Sequence, residues 1–205
     1  MRKFYRQLLA GLLIGLTFFS ACSKKDNPVP EVNQEEADAA VFNFILLEKH
    51  NDHYHEKKDT VKVSFDKTGH ASPHHMHLTE GEHYRLKIVM YYKGKDITKE
   101  YTDEGNIHQF FFVPTKEGYL DYVYEDKDAK GRGIGFTGIV KVLKADGGAF
   151  DLKAVLKHGL NKDHPAAKAW NNPKFMDAGG ETDFEGEFEI HPSPAGPGHG
   201  EHEGD

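Results

Sequence analysis

Histidine is concentrated in one part of this chain. Residues 69–83, GHASPHHMHLTEGEH, contain His70, His74, His75, His77 and His83; just upstream, KHNDHYHEK supplies His50, His53 and His55. Neutral imidazole is a donor for zinc, copper and nickel. His53 and His55 are two residues apart, as are His75 and His77. In extended backbone, residues i and i+2 project to the same side. Each pair therefore offers half of a tetrahedral site with Zn–N bonds of about 2.0–2.1 Å. Asp52, Glu56, Glu80 and Glu82 lie near enough in sequence to complete a shell or to orient the rings. The pairs flank TVKVSF, and a strand of that length would hold them roughly 20 Å apart. A shared site thus requires loops that fold back along the sheet; otherwise there are two sites. Zinc is the first expectation, with copper and nickel open to the same ligands. The competing readings of this cluster are solvated polar loops and a pH-responsive patch.

Other histidines carry different signals. His83 opens an alternating stretch and reads as a rim residue. His108 shares its parity with Phe110 and Phe112, so it faces the core, as a ligand or as a hydrogen-bonded core residue. His158 follows Leu156 on the inward parity at a strand end, where it meets His108 if the two ends lie together. His164, His191, His199 and His202 read as loop or tail residues, the tail pair able to gather metal loosely.

The N-terminus indicates where such a site would work. Arg2, Lys3 and Arg6 precede an apolar run from Leu8 to Phe19, the build of a signal peptide and short for a membrane span. Phe19-Ser20-Ala21-Cys22 resembles a lipobox, so Cys22 is the expected lipidation site. It is the one cysteine of the chain, which leaves no thiolate for metal ligation and no disulfide. Ser23, where retention in the inner membrane would want Asp, favours an outer-membrane lipoprotein facing the periplasm or the cell surface. Residues 22–36 read as a lipidated tether, 37–191 as one domain, and 192–205, rich in Pro, Gly and acid, as a disordered tail. Removing residues 1–21 takes away three basic residues and leaves 23 against 33 acidic ones, a net charge of −10. That excludes nucleic acid as a natural partner and favours cations.

The elements that must position these side chains are strands. Val61, Val63 and Phe65 alternate, as do Tyr84, Leu86, Ile88 and Met90; Phe150, Leu152, Ala154 and Leu156; and Phe184, Phe188 and Ile190. A period of two marks half-buried antiparallel strands. Stretches 40–48, 107–113, 119–125 and 138–144 are rich in aromatic and β-branched residues. Turn-forming DKDAKGRG and KADGG lie between them. The expectation is all-β: a single immunoglobulin-like antiparallel β-sandwich of about eight strands. Residues 164–180 are the longest late gap, with Trp170, Phe175 and Met176 expected to plug one end.

Four stretches, IHQFFF (107–112), YEDKDAKGRGIGF (124–136), LKHGLNKD (156–163) and AGGETDFEGEF (178–188), together resemble small Bacteroidetes outer-membrane lipoproteins often labelled "type 1 periplasmic binding fold superfamily protein". The Lys25-Asp26 step is similar to export signals of surface lipoproteins in that group. A periplasmic binding protein has two α/β lobes about a hinge, for which this chain is too short and its period wrong. The resemblance implies an all-β lipoprotein and a place beside a TonB-dependent outer-membrane receptor, with His108 and His158 on positions that look like family histidines. It implies no reaction.

No enzyme is expected. The chain has no Gly-X-Ser-X-Gly and no His-Glu-X-X-His. DKDAKG lacks the oxygen ligands of a calcium loop, and GRGIG lacks the lysine of a phosphate loop. The expected function is a membrane-anchored lipoprotein that binds a divalent metal ion, zinc first, through loop histidines and supplies a TonB-dependent transporter. The alternatives are a haem or metal-chelate binder using His75-Met76-His77 as axial ligands, and a receptor-accessory module with no ligand.

Overall fold

A computed structural model describes residues 36–51 and 53–196. The expected signal peptide, Cys22, nearly all of the tether, Asp52, His199 and His202 lie outside the described residues.

The strands in chain order are β1 (Ala39–His50), β2 (His53–Asp66), β3 (His70–Thr79), β4 (His83–Tyr92), β5 (Lys95–Asp96), β6 (His108–Pro114), β7 (Leu120–Tyr124), β8 (Thr137–Val142), β9 (Phe150–His158) and β10 (Glu181–Ser193). One short helix, α1 (Thr98–Asp103), sits between β5 and β6. All-β therefore holds, but the eight-stranded sandwich does not. The ten strands form one sheet in the order β6-β9-β10-β3-β2-β1-β4-β8-β7, with β5 added to β4. That sheet curls until its ends nearly meet as a barrel. The Phe112 ring of β6 lies 4.7 Å from that of Tyr122 of β7. The Tyr124 hydroxyl donates to the Phe110 carbonyl at 2.7 Å, and the Phe110 amide donates to Ile134 at 2.7 Å. A period of two buries one face in either architecture, so it cannot distinguish two packed sheets from one rolled sheet.

The alternation seen in sequence is the interior. Phe42, Phe44, Val63, Phe65, Leu86, Ile88, Met90, Phe110, Phe112, Leu152, Leu156, Phe188 and Ile190 are buried in one cluster. Gly186 makes room within it: a Cβ there would stand 2.7 Å from the Phe65 ring. Two features depart from plain antiparallel pairing. β3 and β10 run parallel, with His75 opposite Glu189 and His77 opposite His191. β9 and β10 are antiparallel but slip by one residue between Thr182 and Phe184, a bulge whose extra residue is Asp183.

Residues 164–180 divide between the two faces. Trp170 packs against the main core, its ring 5.9 Å from that of Tyr122, whereas Phe175 stacks on Phe111 at 5.2 Å on the outside of the sheet, within a second cluster containing Val155, Leu160, Ala166, Ala167 and Ala178. β9 is consequently covered on both faces, whereas sequence alternation assigned it one wet face. Lys157 is buried by this cover and donates to the Gly180 carbonyl at 3.0 Å and the Thr182 hydroxyl at 3.2 Å. Met176 is left 58% exposed. β10 also continues through Pro192 and Ser193, two residues past the expected domain end.

Candidate metal centre

Register alone brings the first two candidate donors together. His108 opens β6, His158 closes β9, and the two are direct partners across the antiparallel pair. The neighbouring strand β10 supplies Asp183 at its bulge, one residue from the register that pairs Thr182 with Lys157. A bulge re-aims the side chain of its extra residue; here the carboxylate meets both imidazoles.

The distances are those of a coordination triangle. His108 Nε2 is 3.0 Å from His158 Nδ1 and 3.4 Å from Asp183 Oδ2, and His158 Nδ1 is 3.6 Å from Asp183 Oδ2. Donors held at about 2.0–2.1 Å by one tetrahedral ion stand about 3.3–3.4 Å apart. Among the described residues, His108, His158 and Asp183 are the group whose donor atoms all lie within 4.8 Å of one another.

The tautomer of His108 follows from its second hydrogen bond. Its Nδ1 lies 3.0 Å from the Glu104 carbonyl oxygen. That oxygen only accepts, so Nδ1 carries the proton and neutral His108 directs a lone pair from Nε2 into the triangle. Burial is graded. The His108 side chain is 0% exposed, Asp183 23% and His158 37%. One candidate donor is thus fixed in the core, and the other two face an approach from solvent. Asp183 also lines a surface groove with Ala37, Ala39, Thr68, Thr182 and Phe184. The ring of Tyr101, from α1, packs edge-on against His108 at 5.3 Å and its hydroxyl pKa is pushed up to about 12, chiefly by burial.

Behind His108 lies a buried charge network. The Lys162 ammonium donates to the carbonyls of Gly105 (2.7 Å) and His108 (2.9 Å) and lies 3.5 Å from Asp128. Burial brings its pKa down to about 8, against the pull of Asp128. Asp128 accepts from the amides of Lys130 and Arg132 and from the Arg132 guanidinium. Burial alone would raise that carboxyl, but these hydrogen bonds and the nearby Lys162 hold it at about 2. DKDAKGRG is thus a turn whose buried acid is occupied by protein cations. Asp126 fixes the following segment, accepting from the amides of Gly135, Phe136 and Thr137.

Apart from His164, the remaining histidines among the described residues lie on strands rather than in loops. His50, His53 and His55 stand at the exposed tip of the β1–β2 hairpin, where the rings of His50 and His55 are 5.6 Å apart. His70 opens β3, exposed, its amide bonded to Asp66. His74, His75 and His77 are exposed on β3, and the rings of His75 and His77 each contact His191 of β10. His83 opens β4 half-buried beside Tyr54, its pKa lowered first by burial and then by Lys141 and Lys49. His164 caps a 3-10 turn, its Nδ1 accepting from the Ala166 amide. β2 and β3 pair only at Ser64 with Ser72 and Phe65 with Ala71. The His53/His55 and His75/His77 pairs therefore end on different strand partners, β1 and β10. Met76 is buried in the core while its neighbours point to solvent, so the three cannot face one haem iron.

No family model matches the chain, and no curated protein or solved structure matches it. The four stretches that carry the lipoprotein resemblance nevertheless converge here. They supply His108; Asp126, Asp128 and Arg132; His158 and Lys162; and Asp183. Parity indicated His108 and His158. Asp183 read as an ordinary outward residue of an alternating strand, and nothing in the sequence marks the bulge that turns it.

Proposed function

We propose that this protein binds a divalent transition-metal ion, zinc first, at His108 Nε2, His158 Nδ1 and Asp183 Oδ2, with a fourth position open to solvent or to a transferred ligand. The observation that carries the reading is the donor triangle of 3.0, 3.4 and 3.6 Å, with one imidazole already oriented through its far nitrogen. Two nitrogens and one carboxylate suit zinc, and an open position suits exchange as well as chemistry.

The site is placed for capture and release. The mature chain's charge of −10 draws cations toward it. With the signal peptide and Cys22, this favours an outer-membrane lipoprotein that holds a metal ion and passes it to a TonB-dependent receptor. Zinc titration of the tag-free full chain, monitored by calorimetry and chelator competition, tests the core of the reading. A tight equivalent lost in Asp183→Asn and in His158→Ala is the expected result. A tight equivalent that persists in both variants overturns it.

A further inference from the structure

The far end of β10 presents a second donor set. β3 and β10 are parallel neighbours there, and their outward positions form a rectangle: His75 and His77 on β3, Glu189 and His191 facing them on β10. The inward residues between them, Met76 and Ile190, are buried, so all four side chains leave the sheet on the same side. Ring centroids lie 5.3 Å apart for His75 and His191, 5.1 Å for His77 and His191, and 6.0 Å for His75 and His77. Two imidazoles on one tetrahedral ion at about 2.0–2.1 Å have centroids about 5 Å apart. The His75–His191 and His77–His191 pairs already have that spacing, and His75–His77 stands about 1 Å wider.

Two of the rings have orienting partners. His191 Nε2 lies 2.8 Å from Glu189 Oε2. Because that carboxylate accepts, Nε2 carries the proton and the lone pair falls on Nδ1. His75 Nδ1 is 3.1 Å from His74 Nδ1; a proton donated from His75 leaves its Nε2 free for a metal. The ring nitrogens do not yet converge as those of the buried centre do. His75 and His77 are exposed and His191 is half-buried, and rotation about χ2 turns their nitrogens without moving the backbone.

From this we infer that the β3–β10 face is a second metal site, formed by His75, His77 and His191, with Glu189 and His74 orienting two of the rings and the remaining coordination position open to water. Its ligand is a free divalent ion of the zinc, copper or nickel class. The site goes beyond the buried centre and does not depend on it. Asp183 and His191 are eight residues apart on one strand, about 25 Å, so no ion is shared between them. Exposure makes this the faster-exchanging and weaker of the two sites, suited to collecting metal.

The test is zinc calorimetry on the tag-free full chain, combined with ¹⁵N-detected imidazole spectra that identify the coordinated nitrogens. Wild type is expected to take up two equivalents. His75→Ala/His77→Ala/His191→Ala should lose the weaker one and keep the tighter; His158→Ala/Asp183→Asn should do the reverse. Retention of both equivalents by the triple variant overturns the surface site. So does a wild type with a single equivalent that disappears in His158→Ala/Asp183→Asn, an outcome that leaves the buried centre standing. A single equivalent lost only in the triple variant supports the surface site and sinks the buried one. Failure of wild type to bind any zinc overturns both.

Discussion

The two ends of β10 hold their histidines in contrasting ways. At its start, Asp183 meets His108 and His158 with donor atoms 3.0–3.6 Å apart. The carbonyl of Glu104, the ammonium of Lys162 and the carboxyl of Asp128 hold that arrangement from behind. At its end, His191 joins His75 and His77 on an exposed face, with one carboxylate and one further imidazole as support. The β1–β2 hairpin tip goes further in the same direction. It carries three histidines on a two-stranded projection whose rings are all exposed. Histidine support thus falls from the buried centre to the hairpin tip, although both exposed sets hold more histidines than the buried pair. Preorganisation rather than abundance is what makes a tight site, because ordering exposed rings costs side-chain entropy each time a metal binds.

This contrast is most severely strained by removing one donor from the buried centre. Outer-shell groups alone are worth 10–100-fold in metal affinity, so His158→Ala or Asp183→Asn should weaken the tight equivalent by more than about 100-fold. Chelator competition reads this directly. The metal-free variants should still unfold cooperatively, with His158→Ala costing about 1–3 kcal/mol because it leaves the buried Nε2 of His108 without its partner. A loss of affinity accompanied by collapse of the melt would place these residues in the fold rather than in a site.

The next effect separates support from ligation. Asp128→Asn leaves the three donors intact but removes the charge that Arg132 and Lys162 face. Hydrogen bonds to charged groups contribute about 1.5–3 kcal/mol, so urea denaturation should show a loss of about 2 kcal/mol. The melting temperature should drop by about 4–8 °C. The pH dependence has a definite sign. Asp128 falls from 3.8 unfolded to about 2 folded. Its contribution is therefore full above about pH 4 and is lost as pH falls through about 2, amounting to about 2 kcal/mol over that window. In Asp128→Asn the acid limb of the stability profile should flatten by that amount. An unchanged acid limb would remove Asp128 from the account.

The smallest effect is expected where histidines are densest upstream. His53→Ala/His55→Ala should change zinc affinity at either β10 site by less than about twofold, since a change of that size is within about 0.5 kcal/mol. Stability should move within the same range, as for most exposed positions. A lost equivalent in this variant would show that the hairpin binds metal without the backing given to β10.

How much of this was legible depended on what each strand faces. β4 and β9 were clear because Tyr84–Met90 and Phe150–Leu156 alternate against polar residues. β3 and the first half of β2 were hidden by the histidines themselves. His75-Met76-His77-Leu78 is an alternation with Met76 and Leu78 inward, but a run of imidazoles and a proline looks like a loop. The parallel pairing of β3 with β10 has no local signature, and that pairing is what takes His191 from an expected tail position to the side of His77. Parity placed His108 and His158 on inward faces, and register supplied the contact between them. Asp183 needed the bulge, a one-residue slip that composition and period do not encode. The lysines were opaque for a similar reason. Lys157 looks like a surface residue until the 164–180 segment folds over β9, and Lys162 until its ammonium meets the carbonyls of Gly105 and His108.

The most direct measurement of the central claim is anomalous diffraction at the zinc edge from crystals of the tag-free protein grown with one equivalent of zinc. The strongest anomalous peak is expected at about 2.0–2.1 Å from His108 Nε2, His158 Nδ1 and Asp183 Oδ2. A strongest peak among His50, His53 and His55, or on the β3–β10 face with the triangle empty, would contradict it.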